Sequence, residues 1–362
     1  MPDSHRNMLQ ALEEQVDVDV DWMDPDFIRL NSFKFHDMTS NQFIVDAQID
    51  RPENKVLIEQ AASELGDKDW LAVYTRVAAT LCKNNLPFLS GRVLLQTRPA
   101  DAYDTTATLK YAHLIDAEFA RLGVSRDRYA IKIPITGPAM NAARTLQAEG
   151  IMTLGTTLLS VEQALAASQA GCYYVSPYLN EIKAHVEHTV WPAVADPAAE
   201  HPMAPRVAQM LRAYRKLYHL TGTEQPRVKL ASLLSTAECM AAGELRCHGI
   251  TIAMPLLIEL SATPAPPDMP RNVKPKHPYA MIEEEALPKR LAGLLVRDPL
   301  REGWDGQVAG ADVDYLADGG RPLDEAFEMD VEAKKRLVYA LNFFDEAERR
   351  SKAVIEKVLS TK

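Results

Sequence analysis

The sequence Tyr129-Ala130-Ile131-Lys132-Ile133 carries one lysine between two isoleucines in an otherwise apolar run. Side chains of a β-strand alternate between two faces, so Lys132 points away from the isoleucines, which we expect to face helices. A buried ammonium is costly unless a carboxylate pairs with it or its pKa falls, and a lower pKa makes the amine nucleophilic. This pentapeptide alone leaves two interpretations open, a paired structural lysine and a reactive one.

Short apolar runs recur on both sides of this segment, separated by helical patterns such as Ala107–Arg121. The other predicted strands are Asp17–Asp21, Ser32–Asp37, Arg92–Gln96, Met152–Thr156, Tyr173–Ser176, Arg227–Ala231 and Gly249–Ala253. Regular β–α alternation implies parallel strands joined by crossover helices, and eight of them predict an α/β fold of the (β/α)8 TIM-barrel class. An open doubly wound sheet is the structural alternative, but no glycine-rich nucleotide-binding motif follows any strand.

The alternating pattern stops after Leu260, and we divide the chain into four segments. They are an N-terminal polar segment (1–15), the barrel (16–262), a proline-rich irregular excursion (263–320) and C-terminal helices that pack on the barrel (321–362). The prolines of the third segment are typical of extended surface chain. Leu337, Leu341 and Phe344 share one helical face in the fourth.

Composition limits the classes of partner. The formal net charge is −10, which argues against nucleic acid and acidic membranes as partners. No apolar run approaches the ~20 residues that a membrane helix needs, and Met1–Gln15 lacks the apolar core of a signal peptide. The four cysteines (82, 172, 239 and 247) are scattered, so we expect reduced thiols, a cytoplasmic location and no metal site.

The alternation around Lys132 can be extended to the other strands. The predicted inward pairs are Asp19 and Asp21, Leu94 and Gln96, Leu154 and Thr156, Tyr174 and Ser176, and Leu230 and Ser232. The C-terminal member of every pair is polar, and Tyr178 follows the sixth strand just past a proline. Active sites of these barrels lie at the C-terminal ends of the strands. We therefore predict a catalytic site around Lys132.

Several motifs resemble the transaldolase family. Ile131-Lys132-Ile133 and the later Ser176-Pro177-Tyr178 look like its lysine strand and its S-P-[FY] motif. Asp37-Met38-Thr39-Ser40-Asn41 resembles its D-x-T-T-N segment, and Ala231-Ser232 resembles the start of its A-S-F segment. The likeness extends over roughly residues 16 to 360 and is strongest in 129–178.

The resemblance implies a class I aldolase or transaldolase. Lys132 would form a Schiff base with a ketose or small ketone, and Asp21 would handle the proton of the leaving hydroxyl. The remaining implied site residues are Asn41, Thr39, Ser176, Ser232 and Glu181 for substrate binding, and Thr156 for holding the catalytic water. The resemblance also implies small-molecule ketose and aldehyde partners, no cofactor, and a homodimer.

Three departures from the common transaldolase pattern concern the catalytic water. Gln96 stands where the family has glutamate, Leu154 where it has asparagine, and Tyr178 where most members have phenylalanine. These changes resemble the fructose-6-phosphate aldolase subgroup, in which glutamine, threonine and tyrosine hold the water. Gln96 can only orient that water, so Tyr178 must assist the acid–base work.

A fourth departure concerns the substrate. Glu181 and Leu234 occupy the positions at which the family places basic residues for the substrate phosphate. A carboxylate there repels a phosphate, so we expect an unphosphorylated substrate unless Lys183, Arg98 or Lys229 compensates. The alternative functions are a catalytically inactive barrel with a binding or regulatory role and a different Schiff-base reaction, such as decarboxylation.

Overall fold

The computed structural model describes residues 6–30, 34–66, 69–275, 277–280 and 287–361. Its eight parallel strands form a closed barrel in sequence order, and the last strand pairs with the first. The strands are β1 Asp17–Asp21, β2 Met38–Thr39, β3 Val93–Gln96, β4 Tyr129–Pro134, β5 Thr153–Leu158, β6 Tyr174–Pro177, β7 Arg227–Leu230 and β8 Gly249–Ala253. The predicted (β/α)8 TIM barrel is confirmed.

The helices lie between and beyond the strands. They are α1 Met8–Glu13, α2 Pro25–Arg29, α3 Gln42–Ile49, α4 Lys55–Leu65, α5 Trp70–Asn85, α6 Thr105–Arg121, α7 Gly137–Ala148, α8 Val161–Gln169, α9 Pro197–Glu200, α10 Ala204–Thr221, α11 Thr236–Glu244, α12 Met254–Ala262, α13 Arg321–Met329 and α14 Val331–Leu359. No helix within the described ranges is long and apolar enough to span a membrane.

The second strand differs from its prediction at Ser32–Asp37. Residues 31–33 lie outside the described ranges, and the regular strand is Met38–Thr39. His36 and Asp37 still contribute backbone hydrogen bonds to β1, through Val18 and Val20. The Asp37 side chain accepts the Arg92 backbone N–H at 2.5 Å, so a side chain replaces part of the β2–β3 ladder.

The barrel has two separate apolar layers. Val18, Ile131 and Ile133 belong to the large core between strands and helices. The interior holds a small cluster consisting of Leu94, Ala130, Leu154 and Tyr174. Since Ala130 lies two residues before Lys132 on the same strand, the lysine also faces the interior, one step closer to the C-terminal end.

β7 alternates in the opposite phase to its prediction. Leu230 and Ser232 were expected to point inward, but Leu230 packs in the outer core and Lys229 points into the barrel. The run Val228-Lys229-Leu230 repeats the pattern Ile131-Lys132-Ile133, with apolar residues on the helix side. Ser232 follows the strand with a positive φ of 62°, which breaks the alternation there.

Lys229 forms a buried ion cluster inside the barrel. Its Nζ lies 2.5 Å from Asp19 and 3.0 Å from Asp37, and it sits 4.5 Å from the centre of the Tyr174 ring. Burial alone would lower the pKa of Lys229, but the two carboxylates outweigh it and hold the pKa well above its usual value. Lys229 is therefore an ammonium that compensates two buried acids.

The C-terminal helix α14 crosses the C-terminal end of the barrel and packs on α3, α5 and the turns Pro99–Asp101 and Ile182–His185. Two ion pairs hold it there, Arg98 with Glu348 at 2.9 Å and Arg350 with Asp46 at 2.7 Å. Ser351 adds a hydrogen bond of 2.9 Å to the same aspartate. The helix therefore forms one wall of the barrel mouth.

We predict that Lys229→Met destabilises the protein by about 3–5 kcal/mol, because it leaves two buried carboxylates without their cation. Urea unfolding followed by circular dichroism at pH 7.5 measures the loss. Lys334→Met is the control, since Lys334 pairs with Glu328 on an exposed surface. Equal midpoints for Lys229→Met and the wild type would contradict the proposed compensation.

Candidate active site

Lys132 lies on β4 near the C-terminal end of the barrel. Its neighbours in strand register are Gln96 on β3 and Leu154 on β5. The residue is only 5 % exposed. Within the part of the chain that the structure describes, its amine has no hydrogen bond and no ion pair. The barrel interior therefore holds two lysines in opposite situations, Lys229 with two carboxylates and Lys132 with none.

Thr156 and Tyr178 form a buried hydroxyl pair with 3.1 Å between their oxygens. Thr156 lies on β5 two residues beyond the register partner of Lys132, and Tyr178 follows β6 directly. The β5–β6 register shifts between Gly155 and Leu158, and Thr157 has a positive φ of 56°. Bulges of this kind re-aim side chains, and they are common beside active sites. Either hydroxyl can donate to the other, so the pair can pass a proton.

Gln96 ends β3 beside Lys132 and is 1 % exposed. Its amide N–H donates to Oε1 of Gln42 at 2.9 Å. Its own Oε1 is buried and has no hydrogen-bond partner among the described residues. A buried, unsatisfied acceptor costs free energy unless a bound molecule donates to it. This oxygen therefore marks a place for a small donor such as water.

Asp21 and Thr39 meet at the ends of the first two strands. The Thr39 hydroxyl donates a short hydrogen bond to Oδ1 of Asp21. Asn41 follows β2, and its Oδ1 caps α3 by accepting the Ile44 N–H at 3.0 Å. The NH₂ group of Asn41 remains free to donate to a ligand. Asp21 keeps its second oxygen, so it can still accept a proton.

Ser176 lies on β6 and is 3 % exposed. Its hydroxyl has no hydrogen-bond partner within the described ranges, as is also true of the Lys132 amine. Leu154, in contrast, packs in the interior apolar cluster. The site therefore combines a free amine, a free hydroxyl and an apolar neighbour on β5.

Ser232 belongs to a hydrogen-bond chain that spans the loops after β6 and β7. Its hydroxyl donates to the Asn180 carbonyl at 2.8 Å, so its oxygen accepts from Nε2 of His185, also at 2.8 Å. That contact assigns the His185 proton to Nε2 and leaves Nδ1 as an acceptor. Packing around the imidazole lowers the pKa of His185, while the Asp21 carboxylate raises it in part. His185 is thus a neutral base at the mouth, near Asp21.

Glu238 is the buried centre of the same loops. Its carboxylate accepts from Nδ2 of Asn180 at 2.7 Å, from the Leu234 N–H at 2.7 Å and from Nε1 of Trp191 at 2.6 Å. A carboxylate that accepts three hydrogen bonds holds its donors firmly. These three donors of the loops after β6 and β7 are consequently committed to Glu238.

Glu181 faces the C-terminal helix rather than a free cation. Its Oε1 lies 3.8 Å from Arg336 of α14, and Arg336 also pairs with Glu332 at 2.8 Å. The two carboxylates and one guanidinium carry a net negative charge. Lys183 pairs with Glu187 at 3.1 Å on the loop after β6.

Sequence reasoning missed His185, Arg336, Glu238 and Gln42. The available signal for His185 is its position shortly after a barrel strand, which makes a histidine a candidate for the mouth. Nothing in the sequence links Arg336 to Glu181, because they are 155 positions apart and belong to different elements. The predicted residues Asp21, Gln96, Lys132, Thr156, Ser176 and Tyr178 all lie at the C-terminal ends of their strands.

One cluster in the described ranges has metal-ligand chemistry, and it lies at the opposite end of the barrel. Glu13, Asp17 and His36 bring their ligand atoms together near the start of β1. The Lys274 ammonium already lies 3.0 Å from Glu13 and 2.7 Å from Asp17. This cluster does not border Lys132.

Comparisons with known proteins agree with this architecture. The model of the family described as transaldolase/fructose-6-phosphate aldolase matches residues 18–292. A protein named transaldolase from Nostoc punctiforme is 30% identical over 285 residues, which cover 75% of this chain and 80% of that protein. A transaldolase from Acidobacterium capsulatum is 27% identical over 286 residues, covering 75% of this chain and 83% of the relative.

Proposed function

The chain belongs to the transaldolase/fructose-6-phosphate aldolase family, and from that membership we propose that it makes or breaks carbon–carbon bonds through a Schiff base on Lys132. The observation that carries the proposal is the unpaired amine of Lys132 in a barrel whose other interior lysine is doubly paired. A ketose or small ketone is the donor and an aldehyde is the acceptor or product. No metal or organic cofactor takes part in the proposed steps.

In the first step the neutral Lys132 amine adds to the donor carbonyl. The carbinolamine then loses water and becomes an iminium, which draws electrons from the adjacent carbon–carbon bond. The Thr156–Tyr178 pair and a water held by Gln96 carry the protons of this dehydration. Gln96 cannot ionise, so Tyr178 is the acid–base member of the set. This division of roles supports our proposal of a similarity to the fructose-6-phosphate aldolase subgroup.

The second step cleaves the bond. Asp21 removes the proton of the hydroxyl on the leaving carbon, the carbon–carbon electrons move to the iminium, and an aldehyde and an enamine result. Thr39 keeps one carboxylate oxygen of Asp21 occupied, which leaves the other for this proton. The Ser176 hydroxyl and the Asn41 amide are placed to bind donor hydroxyls. Addition of the enamine to a second aldehyde reverses these steps and gives transfer.

We propose that the substrate is unphosphorylated, because Glu181 brings a carboxylate to the loops that bind phosphate in such barrels, and several donors of these loops already have partners. The Leu234 N–H and the Asn180 amide donate to Glu238, and the Ser232 hydroxyl donates to Asn180. Glu181 and Arg336 neutralise each other in part. A phosphate that used these donors would first have to break their existing contacts.

The three cations that might have compensated are also occupied. Arg98 pairs with Glu348 at 2.9 Å, Lys183 pairs with Glu187 at 3.1 Å, and Lys229 is buried with Asp19 and Asp37. None of them is available to a phosphate without the loss of an existing partner. These pairings support a small polyol or ketone as the substrate.

We expect borohydride reduction in the presence of dihydroxyacetone to leave a three-carbon adduct on Lys132, because this amine is the accessible nucleophile. Peptide mass spectrometry locates the adduct, which disappears in Lys132→Ala. Lys183→Ala is the control and keeps it. The absence of an adduct with any small carbonyl would contradict the Schiff base and favour an inactive barrel with a binding role.

We expect the wild type to couple dihydroxyacetone to an aldehyde acceptor with at least about tenfold higher kcat/KM than it cleaves fructose 6-phosphate, since one charge-assisted contact corresponds to about 1.5–3 kcal/mol. The double variant Glu181→Arg, Leu234→Arg shifts this ratio toward the phosphate ester. The control variant Leu220→Arg, Glu224→Arg makes the same charge change on exposed residues that precede β7, at the N-terminal end of the barrel, and leaves the ratio unchanged. Efficient turnover of the phosphate ester alone by the wild type would overturn the proposal.

A further inference from the structure

Gln42 is a buried residue that contacts Gln96 of the active site, although the proposed mechanism gives Gln42 no role. It is the first residue of α3, directly after Asn41, and it is 1 % exposed. Its Oε1 accepts the amide N–H of Gln96 at 2.9 Å. The end of β3 and the start of α3 are thereby joined by two side-chain amides inside the barrel wall.

The orientation of the Gln42 amide is determined by its other partners. Its NH₂ group donates to the Thr97 carbonyl at 2.9 Å and to the Gln96 backbone carbonyl at 3.3 Å. Carbonyl oxygens only accept, so the nitrogen must face them and the oxygen must face the Gln96 side chain. Gln96 must in turn present its NH₂ group to Gln42, since two amide oxygens facing each other would both lack a donor.

These contacts also fix the direction in which the side-chain oxygen of Gln96 points. With the NH₂ group committed to Gln42, Oε1 is the atom that remains, and it is buried without a partner among the described residues. Gln96 is also the register neighbour of Lys132, and Leu94, two residues earlier, faces the barrel interior. The unpartnered oxygen therefore belongs to the layer of side chains around the amine.

We propose that Gln42 is a positioning residue, which holds the carbonyl oxygen of Gln96 toward the water that serves Lys132 and makes position 96 unfavourable for a carboxylate. This inference rests on the proposed Schiff-base function, because the water has a role only in that chemistry. With Gln96 as a fixed acceptor, the water donates one hydrogen to it and keeps its oxygen and second hydrogen for the hydroxyls of Thr156 and Tyr178. A freely rotating amide would present its NH₂ group part of the time and orient the water wrongly.

The same geometry gives a physical reason for glutamine at position 96. A glutamate there would place an oxygen against Oε1 of Gln42. Rotation of the Gln42 amide would not help, because its oxygen would then face the Thr97 and Gln96 carbonyls. A glutamate at this position must therefore stay protonated, so that its hydroxyl donates to Gln42. Gln42 and Gln96 form a matched pair.

The first experiment tests this pairing without any assay of activity. Urea unfolding midpoints of Gln96→Glu and of Gln96→Glu, Gln42→Met are compared with those of the wild type from pH 5 to 8. In the single variant the folded-state pKa of the glutamate lies above its unfolded value, so stability relative to the wild type falls as pH rises through the folded pKa. We expect the double variant to lose less than half as much over this range. Equal losses in both variants would overturn the proposed role of Gln42.

The second experiment is a double-mutant cycle on the rate at which the borohydride-trapped adduct forms with dihydroxyacetone. Gln42→Met and Gln96→Met should each slow trapping about tenfold with little change in the donor concentration for half-maximal rate, because they disturb the water and not donor binding. Their combination should be no slower than either alone. Multiplicative losses would show that Gln42 acts only on general stability and would overturn the inference.

Gln209→Met is the matched control. Gln209 is a buried glutamine that donates to two backbone carbonyls, those of Leu294 and Arg297, but it lies on α10 outside the barrel. Its variant should lower the unfolding midpoint and leave the trapping rate unchanged. A wild type that forms no adduct would refute the Schiff-base function, whereas the pH dependence of Gln96→Glu would still decide whether Gln42 controls position 96.

Discussion

The free-energy cost of burying a lysine amine inside the barrel constrains the rest of this structure. A buried lysine is costly unless carboxylates pair with it, and the two interior lysines differ in that pairing. Lys229 pairs with Asp19 and Asp37 and compensates these buried acids. Lys132 has no acidic partner among the described residues. The acids that stabilise Lys229 therefore form no ion pair with Lys132.

The groups around Lys132 are arranged by side chains that have no direct part in the chemistry. Thr39 fixes Asp21, Gln42 fixes Gln96, and a bulge in β5 turns Thr156 toward Tyr178. At the mouth, Glu238 gathers the donors of two loops, and α14 brings Arg336 to Glu181. Several hydrogen-bond donors of the outer loops are therefore already used within the protein, and a carboxylate lies among these loops. These two features are the structural basis for proposing a small, uncharged substrate.

Much of the fold followed from two simple signals, the alternation of strand residues and the repetition of strand and helix. These signals place Lys132, Gln96 and Thr156 at strand ends because side-chain direction within a strand is a local property. The prediction for β7 was wrong, although Val228-Lys229-Leu230 carries the same signal as the lysine strand. The contacts of Glu181 with Arg336 and of Gln42 with Gln96 could not be predicted, because they depend on how distant elements pack. Pairing across the barrel is a tertiary property, and one sequence gives no measure of it.

The central claim is that one interior lysine is free to react and the other is not. The most direct test is reductive methylation with formaldehyde and an amine borane, followed by peptide mass spectrometry of Lys132 and Lys229 in the folded and the urea-unfolded protein. The account predicts that Lys132 is modified in the folded protein, whereas Lys229 is modified only after unfolding. Protection of Lys132 until the chain unfolds, or modification of Lys229 in the folded state at a similar rate, would contradict it.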